Sequence, residues 1–120
     1  MEVQMNSKIG KNCKISSHTF ICEGVNIGDN CFVGHGVMFV NDNYPRSVNP
    51  DGSVQNKGDW AGRFVETHIG NNVSIGSNVT ILGNVTIGAG SIIGAGSVVT
   101  KNIPSGQIWA GNPAKMLRVS

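Results

Sequence analysis

The hydrophobic positions of this sequence recur every sixth residue in two long blocks. An aliphatic or aromatic residue begins each hexad, and a small or branched residue follows four places later. A period of six fits neither an α-helix nor the alternation of a single strand, and it indicates a repeat architecture. The first-place residues are Ile9, Ile15, Ile21, Ile27, Val33 and Phe39 in one block, and Ile69, Ile75, Ile81, Ile87, Ile93 and Val99 in the other.

Each hexad is predicted to supply one short strand and one bend, so that three hexads make one triangular coil of a parallel β-helix. Phe39 and Ile69 are separated by five whole hexads, so the two blocks share one register. Glycine at the second place of many hexads is expected to supply bends in which a Cβ would be strained. The fold class is therefore all-β, and residues 1–120 are predicted to form a single hexapeptide-repeat domain.

The phase of the repeat also predicts how the domain is divided along the chain. Residues 1–8 are expected to be an irregular lead-in, coils to occupy 9–44 and 63–103 (with full turns over 63–80 and 81–98), and residues 104–120 to form a short C-terminal tail. Between the coils, residues from about 43 to 62 contain two prolines and the turn signal Asp51-Gly52. They predict a loop that protrudes from the solenoid, and a long insertion of this kind is usually functional.

Composition supports a narrow core. Only 6% of the residues are aromatic and 17 are glycine, which would give a globule a poor core but suffices for stacked Ile and Val. No apolar run is long enough to span a bilayer and no targeting signal is present, so a cytoplasmic protein without a membrane partner is expected.

Three cysteines fit neither a metal motif nor an even-numbered disulfide framework. Cys13 and Cys31 both occupy a fifth place, three hexads apart, and are expected to stack about 4.8 Å apart in neighbouring coils. This spacing permits a disulfide, but small buried thiols in a reducing compartment are the favoured interpretation. Cys22 falls at a bend and is expected to be inert.

The C-terminal segment is basic. From Val99 onward the chain carries Lys101, Lys115 and Arg118 and no acid, although the net charge of the whole chain is only +2. This asymmetry favours an anionic partner. The segment has too few aromatic residues for a nucleic-acid surface, so a phosphorylated small molecule is predicted, with solvated surface lysines as the alternative.

Two stretches resemble a known family. The run IGNNVSIGSNVTILGNVTIGAGSIIGAGSVVTKNIPSGQIWAGNPAKMLR is similar to the C-terminal half of the hexapeptide-repeat acyltransferases, with their VTK-x-[IV]-P and GNPAK endings. The segment FVGHGVMFVNDNYPRS resembles a narrower group, which N-acetylates nucleotide-linked amino sugars used for surface polysaccharides such as lipopolysaccharide. The resemblance implies a left-handed coil, a homotrimer with active sites between subunits, acetyl-CoA in the groove between adjacent prisms, and no metal for catalysis.

The resemblance also implies the roles of particular residues. Room for the pantetheine arm and contacts to the CoA phosphates are expected at Ser77, Ala95, Thr100, Lys101, Lys115 and Arg118. Asn41 aligns with an Asn that lies beside the reacting amine, where an amide can both donate and accept hydrogen bonds, although it also suits a loop-initiating turn. The residues expected to face the sugar nucleotide are Asp42, Tyr44, Arg46 and Trp60.

Three histidines are available as a general base. His18 and His68 lie within regular coil and are expected to be surface side chains. His35 lies two residues beyond Val33, in the coil that leads into the loop, and an imidazole can take the proton of the nucleophile. The alternatives for His35 are a bend residue that shapes the groove, or a reaction in which the amine needs no protein base and the CoA thiolate accepts the proton.

Other functions on the same fold make distinct demands. An O-acetyltransferase of a sugar or small alcohol would depend more strictly on a base. A γ-type carbonic anhydrase would require two histidines five residues apart, whereas His18, His35 and His68 are all much farther from one another along the chain. A structural solenoid such as an ice-binding protein would show flat rows of Thr, which are absent from this sequence.

Overall fold

In the computed structural model, residues 1–44, 46–54 and 65–120 are described, and these residues contain strands and turns but no helix. The strands form three sheets. Sheet A consists of β1 (Glu2–Val3), β4 (Phe20–Ile21), β7 (Met38–Phe39), β10 (Thr80–Ile81) and β13 (Val98–Val99); sheet B of β2 (Lys8–Ile9), β5 (Val25–Ile27), β8 (Thr67–Ile69) and β11 (Thr86–Ile87); and sheet C of β3 (Lys14–Ile15), β6 (Phe32–Val33), β9 (Ser74–Ile75), β12 (Ile92–Ile93), β14 (Gln107–Gly111) and β15 (Ala114–Val119).

Successive strands visit sheets A, B and C in turn, so the chain winds as a three-sided coil. Each strand pairs in parallel with the strand one coil away, as in the pairing of Ile81 with Val99, three hexads later. Only the last pair, β14 with β15, is antiparallel among the paired strands described. The prediction of an all-β fold built from parallel strands, one per hexad, is confirmed.

First-place side chains fill the interior. Ile21, Ile75, Ile81 and Ile87 are each 0% exposed, because neighbouring coils place the same hexad position directly above and below. Burying an aliphatic side chain contributes roughly 1.5–3 kcal/mol, so each coil adds three such contributions. The core needs no large aromatic residues.

The bends differ from the sequence prediction. The left-handed backbone lies at the fourth place of the hexad, which Asn or Gly usually occupies, as in Asn78 (φ 59°) and Gly96 (φ 74°); Asn tolerates this region better than most residues do. Second-place glycines serve another purpose. A Cβ at Gly76 would lie 2.6 Å from the backbone nitrogen of Ala95 in the next coil. The expectation that these glycines supply the bends is therefore wrong: they permit close approach of adjacent coils.

The insertion leaves the solenoid after β7. Phe39 pairs with Ile81, which lies seven hexads later instead of the three that make one coil. The base of the loop is closed by a bond from the backbone N–H of Val65 to the carbonyl of Asn41 (3.0 Å). The amide of Asn43 also bonds both backbone groups of Gly83, at 2.9 and 3.2 Å. Within the described part of the loop, residues 48 and 54 form an antiparallel bridge.

The register across the loop also corrects the predicted turns. Ile27 pairs with Ile69, whereas a coil starting at residue 63 would have placed Ile69 on the following sheet. The grouping of the second block into turns over 63–80 and 81–98 is thus wrong by one hexad. The cause is the length of the insertion, which preserves the phase of the hexads but not the phase of the coils.

Both ends of the solenoid carry more structure than expected. Glu2 and Val3 pair in phase with Phe20 and Ile21, so the prediction of an irregular lead-in is wrong for this strand. The tail contains the antiparallel pair β14 and β15, and Trp109 takes the place that Ile93 holds one coil earlier. None of the described residues belongs to a helix long and apolar enough to cross a membrane.

Candidate functional site

The turns from sheet C to sheet A stack into one ridge, here called the C–A edge and defined by its third-place residues Ser17, His35, Ser77 and Ala95. Successive side chains on this ridge belong to neighbouring coils, about 4.8 Å apart. The predicted base His35 and the predicted cofactor residues Ser77 and Ala95 are therefore brought together on one edge by the fold.

His35 is held by both neighbouring coils. Its backbone N–H donates to the hydroxyl of Ser77 (3.1 Å), and its carbonyl accepts from the N–H of Asn78 (2.8 Å). The imidazole Nδ1 lies 2.9 Å from Ser17 Oγ in the coil below. Among the described residues, no protein group bonds Nε2, and the side chain is exposed. This nitrogen is the one available to take or give a proton.

The turn that carries His35 is braced from inside. Thr19 is 1% exposed, and its hydroxyl donates to the carbonyl of Gly34 (2.7 Å) and accepts from the N–H of Val37 (3.3 Å). These two groups flank His35 on either side, so one buried hydroxyl satisfies both ends of the turn. The backbone beneath the imidazole is consequently fixed by the two neighbouring coils.

The same ridge presents backbone donors. On the edge between sheets B and C, the third-place N–H groups of Lys11 and Asp29 each donate to the side chain of the third-place residue in the next coil, at 2.8 Å. On the C–A edge the equivalent bond runs from the N–H of His35 to the hydroxyl of Ser77. It is not repeated at Ser77, because the third-place residue of the next coil is Ala95, whose side chain has no acceptor. Within the described chain, the N–H groups of Ser77 and Ala95 have no protein partner. Both can donate to a carbonyl placed along the edge.

The other predicted catalytic residue, Asn41, lies elsewhere. It occupies the turn from sheet A to sheet B, called the A–B edge and defined by Glu23, Asn41 and Lys101. Its side-chain amide donates to the carbonyl of Glu23 (3.0 Å). Strand β7 lies between it and His35, so the two residues occupy different edges of the prism. Within one chain the two residues do not meet at a single reacting centre.

The predicted cofactor residues Thr100 and Lys101 share the A–B edge with Asn41 and are exposed. Two strand spacings, about 10 Å, separate their coil from that of Asn41. They are thus not grouped with Ser77 and Ala95. Of the remaining predicted substrate residues, Asp42, Tyr44 and Arg46 occupy or border the loop on this same edge.

The described loop residues have exposed or partly exposed side chains. Asp42 accepts the backbone N–H of Tyr44 (3.1 Å), and the side chain of Tyr44 is 83% exposed. Arg46 is also exposed. Trp60 lies outside the described residues.

The basic tail is divided between two places. On β15, Lys115 pairs with Ala110, which lies against Gly94 at the C–A edge. Arg118 pairs with Ile108 near the opposite end of the same strand. Lys115 is four strand spacings, roughly 19 Å, along sheet C from the coil of His35. Only Lys115 of the two continues the line of His35, Ser77 and Ala95.

His18 and His68 are exposed, as expected, and His68 lies 3.3 Å from Glu66. All three cysteines are free; burial raises the pKa of the Cys22 thiol to about 11 and also raises the pKa of Cys31. No group of three potential metal ligands occurs among the described residues.

Sequence reasoning missed Ser17 and Thr19. Ser17 precedes His35 by three hexads, which is one coil, so the coil length alone places it beneath the imidazole. That signal was present in the sequence, because no insertion separates the two residues.

Several solved structures with a similar fold are acetyltransferases. A hexapeptide-repeat acetyltransferase from Vibrio cholerae O1 biovar eltor, complexed with acetyl-CoA, is 28% identical with a TM-score of 0.77, over 96% of this chain and 61% of its own. A maltose O-acetyltransferase from Clostridium difficile 630 is 30% identical with a TM-score of 0.77, over 96% and 59%. A GDP-perosamine N-acetyltransferase from Caulobacter crescentus shares the fold at 22% identity and a TM-score of 0.74, over 96% and 43%.

The chain spans about three-fifths of the first two of these proteins. No curated protein matches the sequence. The family profile described as bacterial transferase hexapeptide (six repeats) matches residues 6–41 and 66–101, which are the two blocks of coils on either side of the loop. The chain therefore belongs to the bacterial transferase hexapeptide family.

Proposed function

We propose that this protein is an acetyltransferase that moves the acetyl group of acetyl-CoA to the amino group of a nucleotide-linked amino sugar. The observation that carries the proposal is the C–A edge, where the oriented imidazole of His35 is followed by unpartnered N–H groups at Ser77, one coil away, and at Ala95, two coils away, within the described chain. The similarity to acetyltransferases, one of them solved with acetyl-CoA, supports it.

The chemistry follows from the groups on this edge. The amine attacks the thioester carbonyl, negative charge develops on the carbonyl oxygen, and the CoA thiolate leaves as the carbon–sulfur bond breaks. In this proposal His35 Nε2 takes the proton that the amine loses. The N–H of Ser77 is a preorganised donor for the developing oxyanion, and such donors stabilise the transition state more than the ground state.

The same edge suits the elongated acetyl donor. Ser77 and Ala95 are small, Ala95 is exposed, and the free N–H of Ala95 can donate to an amide carbonyl of a pantetheine arm. Lys115 lies at the far end of this line and supplies a positive charge for phosphates. We assign the thioester to the His35 end and the phosphates to the Lys115 end.

We further propose a homotrimer with active sites between subunits, in left-handed coils. Two sheets present apolar side chains outward, Phe20, Met38 and Val98 on sheet A and Phe32 and Ile92 on sheet C, beside the polar Glu2, Thr80, Lys14 and Ser74. The outward residues of sheet B are polar and include Lys8, Asn26, His68 and Thr86. Sheets A and C meet at the C–A edge, so packing through them sets His35 of one subunit close to a neighbour.

This arrangement would also give Asn41 and the loop a role. Since Asn41 and His35 lie on different edges of one prism, a neighbouring subunit is needed to place an A–B edge and its loop beside His35. Replacing Met38 with Glu should dissociate the assembly in sedimentation velocity, whereas Thr86→Glu on sheet B should leave it intact. A wild-type monomer at micromolar concentration would refute the intersubunit site.

A second candidate is O-acetylation of a sugar. The contact between Ser17 and His35 favours it, because a hydroxyl is a weaker nucleophile than an amine and depends more on an oriented base. The similarity to a maltose O-acetyltransferase points the same way.

One experiment decides between these functions. CoA release is measured with acetyl-CoA and a panel of nucleotide-linked amino sugars, their N-acetylated forms, and maltose. Turnover confined to the free amines supports N-acetylation; turnover with maltose supports the second candidate; no turnover with any acceptor refutes acetyl transfer.

Acetyl-CoA, nucleotide-linked sugars and unpaired thiols all agree with a cytoplasmic location.

His35→Ala then tests the base. A fall in kcat of roughly 10²–10⁴ is expected if Nε2 removes the proton. His68→Ala is the matched control, because His68 is an exposed histidine on sheet B, and it should retain full activity. A His35→Ala enzyme within a few-fold of wild type, combined with a large loss in Asn41→Ala, would instead show that positioning carries the reaction.

A further inference from the structure

Ser17 differs from its neighbours on the C–A edge in what it contacts. It lies one coil below His35, and its hydroxyl is 2.9 Å from His35 Nδ1. Ser77 lies one coil above, and its hydroxyl accepts a hydrogen bond from the backbone N–H of His35. Within the described chain, this hydroxyl makes no hydrogen bond to the imidazole ring. The ring is thus held from below and the main chain from above.

This contact bears on which ring nitrogen carries the proton. A serine hydroxyl can either accept from Nδ1–H or donate to a bare Nδ1. Ser17 is exposed, so its hydroxyl can donate a hydrogen bond to water. An oxygen lone pair is then available to accept a hydrogen bond from Nδ1–H. In that state Nε2 keeps its lone pair and faces outward.

We propose that Ser17 is a positioning residue for His35, which accepts Nδ1–H and so presents Nε2 as the proton acceptor. The inference rests on the proposed acetyl transfer and adds a residue to it. When Nε2 takes a proton, the positive ring still donates Nδ1–H to the same hydroxyl, so one contact serves both protonation states. This is the part that a carboxylate plays beside histidine in many hydrolases, filled here by a neutral group.

Neighbouring groups support this reading of the geometry. The turn that carries His35 is fixed by Thr19, which bonds Gly34 and Val37, so the backbone leaves the imidazole little freedom except rotation about its side-chain bonds. Ser17 Oγ is the one side-chain hydrogen-bond partner of the ring among the described residues. Removing it frees the ring without disturbing the turn.

The test compares the variant Ser17→Ala with two other variants, Ser17→Thr and Ser16→Ala. Ser17→Thr keeps the hydroxyl. Ser16→Ala is the matched control, because Ser16 is the adjacent serine and makes no side-chain hydrogen bond within the described chain. Ring nitrogen chemical shifts of His35, measured by NMR on the neutral imidazole, report the tautomer independently of activity, and steady-state kinetics report kcat and KM.

The proposal expects a dominant Nδ1–H tautomer in wild type, Ser17→Thr and Ser16→Ala, and a loss of that dominance in Ser17→Ala. It also expects kcat of Ser17→Ala to fall roughly five- to tenfold, the effect of one lost hydrogen bond, with KM nearly unchanged. An active wild type whose Ser17→Ala variant keeps both the tautomer and kcat overturns the proposal.

Two further results also overturn it. Acetylated Ser17, found by mass spectrometry after incubation with acetyl-CoA, would make Ser17 a nucleophile. A dominant Nε2–H tautomer in wild type would make Ser17 the donor and remove the base role of Nε2. Failure of the proposed function is distinct, since it shows as a wild-type enzyme that transfers no acetyl group to any acceptor.

Discussion

Gly76→Ala tests whether second-place glycines set the spacing between coils. The added Cβ would lie 2.6 Å from the nitrogen and 2.8 Å from the Cα of Ala95, and 3.1 Å from the carbonyl carbon of Gly94. All three atoms are backbone, so no side chain can rotate away. The strand pair must widen, which strains the bond from the N–H of Gly76 to the carbonyl of Ile93 (2.8 Å). Overpacking of this kind typically costs about 1–3 kcal/mol, and we expect about 3 kcal/mol at this wholly backbone contact.

Gly96→Ala is the matched control on the same edge. Its φ is +74° and a Cβ there meets no atom within 4 Å, so the substitution carries only the left-handed penalty of about 1–2 kcal/mol. For a chain of this size, about 1 kcal/mol corresponds to a change in Tm of roughly 4 °C.

The assay is thermal unfolding followed by circular dichroism, with denaturant unfolding as a check. Gly76→Ala should lower Tm by about 12 °C and Gly96→Ala by about 4–8 °C. Because Gly76 adjoins Ala95, acetyl-CoA binding should weaken as well. If Gly76→Ala is as stable as Gly96→Ala, close approach is not the reason for glycine at the second place.

Three other predictions follow from burial and charge. Ile81→Ala, at a side chain 0% exposed, should lower the free energy of unfolding by about 2–5 kcal/mol in denaturant unfolding. Ile9→Ala, at a side chain 38% exposed in the first coil, should have a clearly smaller effect. Equal losses of stability in the two variants would contradict the stacked core. Burial raises the pKa of Cys22 to about 11, so the folded state favours the neutral thiol more than the unfolded state does. Below about pH 8.5 the thiol is neutral in both states, and the stability of wild type relative to Cys22→Ala should not change with pH. As the pH rises towards 11, the stability of wild type should fall by up to roughly 2–3 kcal/mol relative to Cys22→Ala. A constant difference between wild type and Cys22→Ala across this range would exclude the effect. Lys115→Ala should weaken acetyl-CoA binding in calorimetry and reduce the salt dependence of that binding, and Arg118→Ala should weaken it less. Equal losses of affinity in the two variants would show that the CoA phosphates do not bind at the Lys115 end of the C–A edge.

Parts of the candidate site were predictable from sequence because they depend on local spacing. His35 and Ser17 belong to one uninterrupted block, so the three-hexad coil places one above the other. The division of Lys115 from Arg118 was not predictable, because it depends on the antiparallel pairing of β14 with β15.

By itself, the sequence determined the repeat. A hydrophobic residue every sixth position can be buried only if each hexad turns the chain by one side of a prism, so strands, core residues and the site of the loop all follow from local pattern. Which edge each residue occupies was decided only by the tertiary structure. The pairing of Phe39 with Ile81 shows that the loop adds four hexads to a coil of three; four hexads are a whole number of strands but not a whole number of coils. Hexad phase therefore survives the loop while coil phase does not, and only the pairing of strands across it places Ser77 and Ala95 beside His35 and leaves Thr100 and Lys101 on another edge.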